Sequence, residues 1–132
     1  MLVGRILFAV LFVFSGIGGH FQQHRMLVEY ARQAKVPLAG PAVAVSGAMI
    51  VAGGLGVALG VWADLASLLI VAFLIPVALF MHRFWGVDPQ TAQMQMPHFL
   101  KNLALAGVAL VFFYLFREGG DAVPYTLTGP LF

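Results

Sequence analysis

Cysteine is absent from all 132 residues and charged residues make up only 9%. Without cysteine the chain has no disulfide, no thiolate metal ligand, no iron–sulfur cluster and no thiol relay of its own. Electrons in any redox reaction must therefore travel on something the chain binds. So little charge excludes an ordinary soluble domain, which runs near 25% charged. The seven Lys and Arg are scattered and give a formal charge of +2. No basic run or face forms, which argues against nucleic acid as a partner.

Hydrophobic residues fill that gap. They are 61% of the chain, about 80 residues, which is what four bilayer spans of ~20 residues consume. The fold class expected is all-α, a single antiparallel four-helix bundle integral to a lipid bilayer. Its spans lie at about 2–19, 39–62, 65–84 and 97–116, with a tail from 117 to 132. Arg5 is near enough to the first span's start to snorkel to the headgroups. No A-x-A site follows that span, so it reads as retained rather than as a cleaved signal. From His20 to Lys35 the composition turns polar, with Leu27, Tyr30, Ala31 and Ala34 at helical intervals. That pattern predicts a short amphipathic helix in the membrane interface, ended by Pro37.

Span two carries Ala44, Ala48, Ala52, Gly56 and Gly60 four apart, a small-residue stripe suited to close helix packing. Asp64 is placed to cap the start of span three. Pro76 interrupts that span, Asp88-Pro89 signals a turn, and Pro97 suits the first position of span four. The tail ends in Leu131-Phe132 and is expected to rest on membrane or a partner. Arg5 and Arg117 fall at one end of the spans, and Arg25, Arg32, Lys35, Arg83 and Lys101 at the other. The positive-inside rule then sets the long loops in the cytoplasm and both termini outside.

All four histidines, His20, His24, His82 and His98, lie at the basic end. On span four, His98, Lys101 and Asn102 share one face through i, i+3 and i, i+4 spacing. A charge or amide at the hydrocarbon boundary needs a partner. One use of His82, Arg83, His98, Lys101 and Asn102 is to bind a quinone or lipid headgroup, supplying hydrogen bonds and, from histidine, protons near neutral pH. The other is a polar cap that ties helix ends to lipid phosphates. Metal and haem are disfavoured because the histidines sit at helix ends rather than facing one another across a core. No arrangement supports a hydrolase, and too few polar residues lie at mid-membrane depth for a transporter.

The segments Phe80-Met81-His82-Arg83-Phe84-Trp85 and His98-Phe99-Leu100-Lys101-Asn102-Leu103-Ala104-Leu105, with Gly107 beyond them, resemble the DoxX family. Arg5, Ser15-Gly16, Tyr30-Ala31 before Val36-Pro37, and the glycines from Gly53-Gly54 to Gly60 extend the likeness over about residues 4 to 116. The resemblance implies a small four-helix protein of a bacterial or archaeal cytoplasmic membrane. It further implies association with quinone-linked redox systems, including thiosulfate:quinone oxidoreductase-type and terminal-oxidase assemblies, and with complexes that answer oxidative stress. Many members carry an acid just before the span-two glycines, whereas this chain has Met49-Ile50-Val51, which weakens a proton relay through span two. Two functions follow as expectations. One is a redox-associated membrane subunit that binds a quinone or similar amphiphile beside an electron-donating partner, as part of a quinone-linked oxidoreductase. The other is a non-catalytic assembly or anchor subunit of a larger complex.

Overall fold

A computed structural model of residues 1–132 contains helices and connections and no strand. Helix α1 (Leu2–Phe14) runs on into a π-helical stretch, Ser15–Gln22, and is followed by α2 (His24–Gln33), α3 (Ala39–Leu59), α4 (Ala63–Met81) and α5 (Pro89–Gly119). Four of these elements are long and apolar enough to cross a bilayer. The chain is a multi-pass membrane protein.

The bundle is closed. α3 packs on α1 and α4, α4 packs on α5, and Phe8 of α1 meets Phe112 of α5 edge-on at 5.2 Å between ring centroids. Buried Phe8, Phe12, Ile50, Ile70, Leu74 and Phe116 form the core. α3 reaches both its neighbours because its glycines have no Cβ. At Gly56 one would fall 2.5 Å from the Cβ of Ala66, and at Gly54 one would fall 3.2 Å from the carbonyl of Ala9. Backbone approach of this kind is how helices associate in lipid, where apolar burial gives no drive.

The small-residue stripe divides. Gly56 packs inside the bundle, and Gly60 closes α3 in the left-handed region at φ +67° with Thr126 against it. Ala44, Ala48 and Ala52 point outward, because the buried face of α3 follows Val43, Gly47, Ile50 and Val57 instead. A leucine at position 56 drives α3 and α4 apart, so Gly56→Leu is expected to abolish recovery of a monodisperse protein by size exclusion in mild detergent. Ala48→Leu, on the outward face, should leave it unchanged.

Several local expectations are corrected. Arg5 does not snorkel; it is fully buried. Its guanidinium donates to the carbonyls of Val57 at 2.8 Å, Ala58 at 2.9 Å and Pro124 at 3.2 Å, and sits 5.3 Å from the ring centre of Phe116. Val57 and Ala58 lie in the last turn of α3, where carbonyls have no partner within the helix and a cation complements the helix dipole. Asp64 does not cap α4, whose first flanking residue is Trp62 in a left-handed conformation. The Asp64 carboxylate is fully buried in the first turn and accepts from the N–H groups of Leu131 and Phe132, at 2.9 and 3.1 Å.

These two buried charges hold the tail. It folds back across the bundle end, its Leu127 and Thr128 N–H groups returning to the Gly60 carbonyl. Both termini lie at this end.

α5 begins earlier than expected, since Asp88 is its cap, accepting from the Thr91 N–H at 3.0 Å, and Pro89 is at its first position. Pro97 therefore sits inside the helix rather than at its start. At 31 residues α5 is about 46 Å long, well beyond the ~30 Å of hydrocarbon.

Candidate functional site at the histidine end

The π-helical stretch is where the site begins. Gly16, Gly18 and Gly19 lie within it, and glycine lowers the preference for a regular α-helix. The chain widens to i→i−5 bonding, as in Gln23 N–H to Gly18 carbonyl at 3.1 Å, a geometry that often accompanies function. It turns His20 inward against α3, where a Cβ on Gly47 would fall 2.5 Å from that of His20. The His20 ring is buried, edge-on to Phe73 at 5.6 Å, with Nδ1 3.2 Å from the Ser15 carbonyl.

α2 folds under this end as the amphipathic helix expected. Its Val28 and Ala31 pack with Ala39 and Val43 of α3 in a second small core, while Arg32 and Glu29 pair at 3.7 Å on the exposed side. Tyr30 reaches from α2 to α4, donating to the Met81 carbonyl at 3.0 Å. Gln95 of α5 donates to the Tyr30 hydroxyl at 3.2 Å, and its Oε1 lies 3.0 Å from Nδ1 of His82. One chain of hydrogen bonds thus joins three helices.

Above it opens a cavity of about 480 Å³, within the range of small-molecule sites. Seventeen of its 25 lining residues are hydrophobic. Its polar wall comes from His20, Tyr30, His82, Lys101, Asn102 and the two serines, Ser15 and Ser46. Asn102 is only 6% exposed yet makes no side-chain hydrogen bond within the chain, and its amide keeps contact with open space at the cavity. An amide that opens only on a mostly apolar hollow is free to bond whatever polar group enters there.

Of the residues singled out in the sequence, His82, Lys101 and Asn102 line this cavity, whereas Arg83 and His98 do not. His98 stacks on His82 from the outside, with ring centres 5.2 Å apart, and Arg83 is exposed. His20, Tyr30 and Gln95 enter the site unexpectedly. The π-helix turned His20 inward, and the early start of α5 brought Gln95 level with His82.

Burial pulls His82 below the ordinary histidine value of 6.5; its bond to Gln95 opposes this, and His98 and Lys101 add to it. The unfolded chain then binds more protons just below pH 6.5, so the contribution of His82 to stability is complete above that value and lost as pH falls through it. The thermal midpoint in detergent should drop more steeply between pH 7 and 5 for the native chain than for His82→Gln.

No curated protein and no solved structure matches the chain. The family model that matches is DoxX, over residues 1–83. The match takes in the first three spans with Arg5, His20, Tyr30 and His82, and stops short of the His98 to Asn102 segment. With well over half its length so matched, this chain belongs to the DoxX family.

Proposed function

We propose that this protein is a redox-associated subunit that binds a quinone or a similar amphiphile in the cavity at its histidine end, beside an electron-donating partner. The observation that carries the reading is Asn102, a residue 94% buried whose amide has no partner in the chain and opens on the wall of a mostly apolar cavity. An apolar hollow with a few convergent polar groups suits a ring with a greasy tail. His82 and Lys101 at the same wall add a titratable group and a cation. Purification in a mild detergent, followed by organic extraction and identification of co-purifying proteins, tests it. A stoichiometric quinone or other amphiphile that is lost in Asn102→Leu supports the reading; extracts identical for native and variant protein contradict it.

The family likeness suggests the cytoplasmic membrane of a bacterium or archaeon, and the charge bias at the span ends favours both termini outside and the cavity end in the cytoplasm. The cysteine-free sequence allows a clean test. A Gln93→Cys variant should react with an impermeant maleimide only after cells are opened, and labelling of intact cells would reverse the orientation.

The anchor reading keeps one observation of its own, the outward row of Ala44, Ala48 and Ala52. It predicts that Ala48→Leu releases a co-purifying partner while the bundle stays folded.

A further inference from the structure

The two histidines at the cavity wall have their hydrogens assigned by their neighbours. A carbonyl can only accept, so the 3.2 Å contact between Ser15 O and His20 Nδ1 requires the hydrogen on Nδ1. In the neutral ring Nε2 is then a bare acceptor. For His82 the assignment passes through three groups. The Tyr30 hydroxyl has one hydrogen and gives it to the Met81 carbonyl. Gln95 must therefore approach Tyr30 with its NH2 group, which turns Oε1 toward His82. Nδ1 of His82 has to carry the hydrogen as well, and its Nε2 is also an acceptor.

Neither Nε2 has a partner in the chain, and neither is sealed from open space. His20, only 6% exposed, lines the cavity. Tyr30 offers only lone pairs once its hydrogen is committed. Asn102 can donate or accept and does not discriminate. Lys101 is the one cationic donor and stands at the exposed rim. Ser46 has given its hydrogen to the Val43 carbonyl, while Ser15, exposed at the rim, can like Asn102 do either. The groups with a fixed role on the inner wall, His20, His82, Tyr30 and Ser46, thus present acceptors.

We infer that the cavity selects an amphiphile whose headgroup donates hydrogen bonds, the phenolic or hydroquinone class, over the matching carbonyl compound. This rests on the amphiphile reading above and specifies which form of the ligand the site holds. A quinone carbonyl set against a bare imidazole nitrogen is lone pair against lone pair. A hydroxyl there makes the bond that Nε2 lacks, and a donor–acceptor mismatch in a buried site costs far more than a missing methylene does.

The test uses three probes on the full-length protein in detergent under anaerobic conditions, read by titration calorimetry. They are a decyl-substituted benzohydroquinone, the corresponding benzoquinone, and the dimethyl ether of the hydroquinone. The hydroquinone is expected to bind about tenfold or more tightly than either of the others. His20→Asn keeps a donor for the Ser15 carbonyl but removes Nε2, and His82→Phe removes the second acceptor from a half-exposed position; each should narrow the difference. Equal binding of hydroquinone and quinone, or of hydroquinone and its ether, overturns the selectivity and leaves the amphiphile reading standing. Failure of all three to bind overturns both.

Discussion

Arg5→Ala is expected to loosen both the end of α3 and the tail in one step. The substitution strips the Val57, Ala58 and Pro124 carbonyls of their donor and empties the space under Phe116. Hydrogen bonds to a charged group are worth ~1.5–3 kcal/mol each, so the loss should be about 3 kcal/mol or more. In thermal terms that is a fall of roughly 10 °C in the midpoint in detergent. Lysine should not rescue it, because the three acceptors are met by a planar fork that an ammonium does not reproduce. The tail provides a second readout. Released from Arg5, it keeps Asp64 and the bonds to the Gly60 carbonyl but loses its anchor at Pro124, and limited proteolysis should cleave between Val123 and Leu131 in the variant well before the native chain. A native midpoint and an uncut tail in Arg5→Ala would show that the guanidinium is incidental.

Asn102→Leu is expected to act in the opposite manner, sparing the fold and removing the ligand. The amide makes no bond within the protein, so leucine, of the same branched shape and with the cavity to take its larger methyl groups, loses nothing there and adds apolar contact with the cavity wall. The thermal midpoint of the ligand-free protein should hold or rise. Affinity for an added decyl-quinone or its hydroquinone should fall by tenfold or more, since one hydrogen bond is lost and a ligand polar group is left facing hydrocarbon. A variant that unfolds would mean the amide is structural. A variant that binds normally would remove Asn102 from the site.

The contrast between these residues shows what the sequence makes legible. Four spans, the interfacial helix and the gathering of histidines at one end follow from hydropathy and spacing, and all are present. The two buried charges were not legible in that way. Arg5 near a chain start looks like a snorkelling residue, and Asp64 before an apolar run looks like a cap. Their true partners are more than 50 residues away along the chain, at the end of α3 and in the tail. A local pattern has no access to such a contact. The same holds for His20, whose inward turn depends on a π-helical widening opposite Gly47. His98 and Asn102 share a helix face at i, i+4, yet only Asn102 lines the cavity, while His98 stacks on the outer side of His82.

A headgroup in the hollow between the five helices α1 to α5 can be trapped covalently. Photolabelling tests it most directly. An azido-benzoquinone bearing a decyl tail, irradiated with the purified protein and mapped by peptide mass spectrometry, should label the stretch around His20 and the stretch around Lys101 and Asn102. Excess unlabelled hydroquinone should suppress it, and Asn102→Leu should lose it. Labelling spread over the lipid-facing residues of all four spans, undiminished by competitor, would contradict the claim.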